Sequence, residues 1–459
     1  MNCTISETRK FDLNINLNEK DLRLIPYIVF ALFALLSTLH FSFAVINFII
    51  CAFFIIKSKK SESVPFLIFI TFFASIFKIL ELTEISLYTL LLPIFVVKEA
   101  ILGRFQLRFL VALAILAVFI LGIQVSSGTI NISRNIKFFE FFFYVYIVID
   151  AYLDPDLKLE CESILKAVIF GVIVSSLFRF LDGNIFQISR FVDETISTYD
   201  KSSAFVRFSG LLRDPNYYAV SVHLAIISAL FLGYSKKISH LYMIFLLVIL
   251  VTLAVLTGSK SAIFMLIFPF GLLLFINFKQ KRNIGNILFI AGVAIGLILV
   301  LSGRIKFLNY FVSRFKTNDF SLDALTTGRT AIWRDYFSYF KSNVSKLFIG
   351  TGVSALPVHG KAAHNTYIDI LYHLGIIPGL VFAYLIVMYF LHKKVVFKRS
   401  IMNFSGIIIV LIMYLFLSSL FDIDLGTNVI VCVVIFNTCI DSGGIKNEHQ
   451  ESNLQDIRD

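Results

Sequence analysis

His364 stands where a long polar excursion, Leu301 to Leu380, returns to apolar sequence at Ala363-His364-Asn365-Thr366-Tyr367-Ile368-Asp369. Apolar runs of bilayer length lie on both sides of that excursion. An imidazole, with a reference pKa of about 6.5, can take a proton from a hydroxyl near neutral pH. Asp369 and His373 come next, four residues apart on one face of the next expected helix, as a buried polar pair or a second functional group.

Cations are the second ingredient. Arg207 and Arg213 bracket Phe208-Ser209-Gly210-Leu211-Leu212 and run into Asp214-Pro215-Asn216. An Asp that can cap, followed by Pro, marks a helix start, where free backbone N–H groups favour an anion. Lys260 lies in Leu256-Thr257-Gly258-Ser259-Lys260-Ser261, a tight turn between two apolar runs, where a lysine either snorkels or meets a ligand. Arg329 comes after Thr326-Thr327-Gly328 at the head of a stretch in which Ile332, Trp333, Tyr336, Phe337 and Phe340 recur at helical spacing. That pattern predicts an amphipathic helix, lying on the membrane surface or packing on its own loop's core.

The elements that position these groups are membrane helices. The chain has 459 residues, 58% hydrophobic, with 51 Phe and a mean hydropathy of +0.85, well above the roughly 45–50% apolar content of soluble domains. Spans of about 17–25 residues are expected near 24–38, 39–56, 64–81, 83–98, 105–123, 135–152, 162–181, 214–233, 238–256, 260–278, 284–302, 366–391, 404–421 and 427–441. No polar turn separates the first two, which leaves a merged first span open. The expected class is all-α and polytopic with about 12–14 transmembrane helices.

Lys and Arg collect in cytoplasmic loops. With a cytoplasmic N-terminus, five of the six inside loops are basic, holding Lys57, Lys59 and Lys60; Lys98, Arg104 and Arg108; Lys236 and Lys237; Lys279, Lys281 and Arg282; and Lys393, Lys394, Lys398 and Arg399. The sixth, Leu153 to Glu162, carries Asp154, Asp156, Glu160 and Glu162, which count little in this rule. The expected organisation is a cytoplasmic N-terminus (1–23), transmembrane helices with short loops and an outer segment at 182–214 (24–301), a large outer loop (302–363), C-terminal transmembrane helices (364–441) and a cytoplasmic disordered tail (442–459). The net charge of +11 could suggest nucleic acid, but in a membrane protein the positions of Lys and Arg are read first, and the inside loops collect many of them. No removable signal peptide is expected, since no small-residue cleavage site lies after the first apolar run. The five cysteines lack CxxC or metal spacing and read as small lipid-compatible residues.

Topology does not explain the outer cations, which include Arg190, Lys201, Arg304, Lys306, Arg314 and Lys316 besides those above. They suit an anionic substrate at the outer face. Activated donors reach that face attached to a membrane carrier, and a lipid diphosphate fits. Its departure needs charge neutralised, which arginines supply, whereas the acceptor hydroxyl needs a base, a role worth roughly 10²–10⁴ in rate. Cations plus one histidine point to glycosyl transfer, with no metal site and no cofactor expected.

Five motifs in order then resemble a known superfamily: Arg207-Phe208-Ser209-Gly210 with Asp214-Pro215-Asn216; Leu256-Thr257-Gly258-Ser259-Lys260-Ser261; Gly328-Arg329 with Trp333; Ile349-Gly350-Thr351-Gly352; and His364-Asn365-Thr366-Tyr367 with Gly375. Around one long outer loop they resemble the O-antigen polymerase and ligase superfamily, the Wzy and WaaL proteins of bacterial surface polysaccharide assembly. The resemblance implies a GT-C-like, metal-independent, inverting glycosyltransferase of the bacterial inner membrane, its active site facing the periplasm and its long loop periplasmic.

By the same resemblance Arg207, Lys260 and Arg329 contact the diphosphate of an undecaprenyl-diphosphate-linked oligosaccharide, and His364 activates the acceptor. Arg213, Asn216, Asn365 and Tyr367, within or beside the motifs, complete the expected substrate-binding set. Where the family usually has arginine this chain has Lys260, which keeps the charge but loses bidentate geometry. Asp422-Ile423-Asp424 reads as a helix-flanking turn and not a metal-binding DxD. A polymerase is the favoured reading, with the lipid bilayer, a chain-length regulator and a flippase as expected partners. The alternatives are a ligase moving polymer onto lipid A core and a lipid-linked oligosaccharide flippase. Against the flippase stand the absence of paired repeats and the outer position of the cations.

Overall fold

The structure is a computed structural model that describes residues 24–74, 76, 87–102, 161–188, 207–212, 214–259, 328–352 and 355–381, with isolated positions at 115, 118, 121, 122, 135, 144, 262, 266 and 384. The described residues form α-helices, turns and one short 3-10 turn, with no β-strand among them. In chain order the helices are α1 (Ile25–Ser37), α2 (Phe41–Lys57), α3 (Lys60–Thr71), α4 (Leu87–Ile101), α5 (Cys161–Phe180), α6 (Pro215–Tyr234), α7 (His240–Leu256), α8 (Arg329–Ser342), α9 (Val344–Ile349) and α10 (Thr366–His373).

Local chemistry sets several of these boundaries. Thr38, Leu39 and His40 break the first apolar run into α1 and α2, and the His40 ring accepts the Ser42 N–H to cap α2. The Glu62 carboxylate accepts the Lys59 N–H at 3.1 Å, so α3 begins at Lys60, ahead of the apolar stretch, and it ends at Thr71 instead of running to 81. The Asp214 carboxylate accepts the Asn216 N–H with Pro215 as first helical residue, as the Asp-Pro pattern requires. Ser239 caps α7 through the Tyr242 N–H.

α1 to α7 share one apolar core in which neighbours run α4, α2, α1, α3, α5, α6, α7. Phenylalanine supplies much of the contact: Phe30 meets Phe73 edge-on with centroids 5.2 Å apart, and Phe73 meets Phe178 likewise at 5.2 Å. Polar bridges are few and specific. Asn47 Nδ2 donates to the Phe30 carbonyl, joining α2 to α1, and Lys98 donates to the Ile55 and Ser58 carbonyls, placing a cation at the C-terminal end of α2. α5 and α6 contain apolar stretches, Glu162–Phe180 and Pro215–Gly233, long enough to cross a membrane.

α8, α9 and α10 pack on one another around a second, smaller core of Tyr336, Phe340, Ala355, Val358, Ala363, Ile368 and Tyr372. The amphipathic pattern is realised in part as α8, with Tyr336 and Phe340 buried and Arg334 and Lys341 exposed. Phe337, expected on the apolar stripe, is instead exposed, since it lies one residue round the helix from Tyr336 and away from the second core. The continuous span read over 366–391 is corrected: α10 stops at His373, and helix resumes only at residues 376–381, after Gly375. Gly375 and Gly379, four residues apart, have different surroundings. A Cβ on Gly375 would meet the Gly350 backbone at 2.3 Å, while one on Gly379 would meet nothing within 4 Å.

Most of the spans expected at 105–123, 135–152, 260–278, 284–302, 404–421 and 427–441, the termini, the loop up to residue 327 and Asp422-Ile423-Asp424 lie outside the described residues.

Candidate active site

Two stretches far apart in sequence are laced together at the start of α6. The Phe208 N–H donates to the Leu256 carbonyl at 3.1 Å. Arg207, only 5% exposed, donates from Nε to the Thr257 carbonyl at 2.9 Å and from Nη2 to Asn216 Oδ1 at 3.2 Å. Ser259 Oγ donates to that same Asn216 oxygen at 2.6 Å, and Asn216 Nδ2 donates to Asp214 Oδ1 at 2.8 Å. A buried guanidinium is costly unless its donors are matched, and these bonds fix its plane. Arg207 therefore belongs to a network that locks the α6 N-terminus to the C-terminal turn of α7.

Across from this network stands the head of α8. Burial pushes the Arg329 guanidinium below its ordinary range, while the Asp214 carboxylate and the Tyr217 side chain act against that shift. His364 is held below the ordinary histidine value first by burial and next by the Arg329 charge, with Asp214 and Asp369 pulling the other way. Asp214 is thus within electrostatic reach of both Arg329 and His364. Asn216 donates to that carboxylate and Arg207 to Asn216, while Arg329 and His364 feel its charge, so the four residues are linked to Asp214 by bonds or by electrostatics.

His364 has a left-handed backbone, φ +48°, between two anchors. On one side the Ala363 carbonyl accepts the Trp333 indole N–H at 2.8 Å. On the other, Asn365 Oδ1 accepts the Tyr367 and Ile368 N–H groups at 3.0 and 3.2 Å, capping α10. Asn365 is buried and its oxygen serves this cap, whereas Tyr367 is 38% exposed. The Asp369 and His373 pair forms as its spacing predicts, with Nε2 3.5 Å from Oδ1. His373 Nδ1 donates to the Gly352 carbonyl at 2.9 Å, since a carbonyl can only accept.

Of the expected site residues, Arg213 and Lys260 lie outside the described residues. Sequence reasoning gave Asp214 a capping role alone and gave Ser259 none. The adjacency of Asp214-Pro215-Asn216 to two arginines was the available signal for the first; the second depends on a contact across 43 positions and carried no local sign. Among the described residues no cluster of three or more His, Cys, Asp or Glu is arranged to hold a metal ion.

Chemically, a neutral imidazole beside an arginine in a partly desolvated site can accept a proton while the guanidinium stabilises developing negative charge. Residues 245–383 match the family described as O-Antigen ligase. The matched stretch contains Lys260, Arg329, Trp333, His364, Asn365 and Tyr367 and stops short of the Arg207 to Asn216 network. Neither the curated proteins nor the solved structures gave a match to the chain.

Proposed function

The chain belongs, through residues 245–383, to the O-antigen polymerase and ligase superfamily, and from that premise we propose that it polymerises undecaprenyl-diphosphate-linked repeat units into O-antigen or a related surface polysaccharide. Members of this superfamily are glycosyltransferase-like enzymes and integral membrane proteins of the bacterial inner membrane that act on lipid-linked oligosaccharides. The further steps are our reading: a polytopic, GT-C-like protein of about 12–14 spans, with its 302–363 loop and active site facing the periplasm, working beside a flippase and a chain-length regulator.

In the reaction, a sugar hydroxyl of the incoming unit attacks the anomeric carbon of the growing chain. The bond from that carbon to the lipid diphosphate breaks, and its electron pair leaves with the diphosphate. His364 accepts the hydroxyl proton; Arg329, Arg213 and Lys260 offset the charge on the leaving group without a metal, and the buried Arg207, bonded to Thr257 and Asn216, adds its charge from within the network. Direct displacement inverts the anomeric centre. The observation that carries this reading is the burial of His364 beside Arg329, which favours the neutral, base-competent imidazole.

A ligase is the second reading, favoured by the description of the matching family. The surface glycolipid pattern of a strain lacking the protein separates them. Collapse of the ladder to core bearing a single repeat unit is the polymerase result. Loss of all repeat units from the core, with polymer accumulating on the carrier at the outer face, is the ligase result; single repeats trapped inside would favour a flippase and sink both. His364→Ala and Arg329→Ala should each abolish polymer in the complemented strain while the protein remains inserted, and near-normal polymer from either removes that residue from the mechanism.

A further inference from the structure

We infer that Trp333 is a positioning residue for His364, its indole N–H fixing the Ala363 carbonyl so that α8 sets the imidazole in register with the Arg329 it also carries. The inference rests on the catalytic reading of His364.

Arg329, Trp333, Tyr336 and Phe340 recur at i, i+4, i+7 and i+11, a single stripe along α8. The first of these faces the site, and the last two are buried in the second core. Between them two side chains reach the same incoming segment: Trp333 Nε1 donates to the Ala363 carbonyl at 2.8 Å, and the Tyr336 hydroxyl donates to the Lys361 carbonyl at 3.0 Å. The segment is thus held at alternate residues immediately before His364. A helix rises about 1.5 Å per residue, so the offset between Arg329 and the Trp333 anchor is fixed by the helix itself.

This hold has a strained object. A histidine at φ +48° occupies a sparsely populated region that persists only where the surroundings over-determine it. Here the indole clamps the preceding carbonyl, and the Asn365 cap clamps the first turn of α10 on the other side. The groups that set the imidazole's charge come from three other places, Arg329 on α8, Asp214 at the α6 cap and Asp369 on α10. A loosened clamp shifts the ring against all of them at once. Trp333 is also the single tryptophan of the chain, and a ring of that kind in a glycan site has an obvious competing role as a sugar-stacking platform. The hydrogen bond to Ala363 argues for positioning, and the two roles separate experimentally.

The full-length protein in lipid nanodiscs, as wild type and as Trp333→Phe, is treated with diethyl pyrocarbonate across a pH series, and modification of His364 is followed by site-resolved mass spectrometry. The variant keeps an aromatic ring and loses the donor. Expected is a severalfold higher His364 reactivity with its apparent pKa moved up toward the unperturbed value of about 6.5; unchanged reactivity and pKa would overturn the inference. In parallel, initial rates with a lipid-diphosphate-linked repeat unit should lose roughly 10-fold to 100-fold in kcat with KM nearly unchanged. A loss confined to KM would overturn positioning in favour of direct substrate contact. Tyr336→Phe, which keeps its buried ring, is expected to move reactivity in the same direction by less, and it decides the matter if Trp333→Phe fails to fold. Should the wild type transfer no glycan, the proposed function falls while the modification experiment still decides the role of Trp333.

Discussion

General-base work at neutral pH needs an uncharged imidazole, and the surroundings of His364 favour that form. Burial and the Arg329 charge both disfavour protonation, so the folded-state pKa lies below the ordinary value of about 6.5. As the proposed base, His364 would be competent above that lowered pKa, and activity should be lost as pH falls through it, on the acid side of about 6.5. Two substitutions should move this acid limb in opposite directions. Arg329→Gln removes a cation that lowers the pKa, so its residual activity should fail at a higher pH than wild type. Asp214→Asn removes a carboxylate that raises it, so the limb should move to lower pH. Rate profiles of the purified protein test the pair; limbs that stay in place would show that neither charge acts on the catalytic proton.

At the scale of elements, the α8 to α10 unit depends on a backbone contact that only glycine permits. Gly350, at the end of α9, has φ +78°, and a Cβ there would meet the His373 carbonyl oxygen at 2.4 Å. Gly350→Ala therefore combines left-handed strain of about 1–2 kcal/mol with a backbone clash of about 1–3 kcal/mol. Gly328, just ahead of Arg329, also has positive φ at +82°, but a Cβ there would meet nothing within 4 Å. Gly328→Ala should cost the strain alone, about 1–2 kcal/mol. Thermal unfolding of the two variants in detergent should rank Gly350→Ala clearly below Gly328→Ala, and equal midpoints would show that the α9–α10 contact contributes nothing. The same contact explains why α10 is short. With the 350 and 375 backbones abutting, the Thr351 N–H and hydroxyl both donate to the Tyr372 carbonyl, binding the end of α10 to the loop after α9.

For the whole molecule, the charge pattern and the site must agree on one side of the membrane. In the proposed orientation Lys237, in the basic turn between α6 and α7, faces the cytoplasm, and Lys341, exposed on α8, the periplasm. In a cysteine-free background, Lys341→Cys should react with a membrane-impermeant maleimide in cells whose outer membrane alone is permeabilised, while Lys237→Cys should react only after the inner membrane is opened. The reverse pattern would put His364 on the cytoplasmic side and remove the lipid-diphosphate argument with it.

Helix class, the α1, α2, α6 and α7 positions, the amphipathic nature of α8 and the Asp369–His373 pairing were all legible in the sequence, because each is written in contacts within a turn or two of the same chain. The motifs that hold Arg207, Asn216, Arg329 and His364 were legible for the same reason. Their meeting was not. The Arg207–Thr257 and Ser259–Asn216 bonds, the action of the Asp214 charge on both Arg329 and His364, the Trp333 clamp and the early stop of α10 all join segments many residues apart. No local periodicity encodes such pairings; they exist only once helix packing has brought the carbonyls, caps and charges within reach.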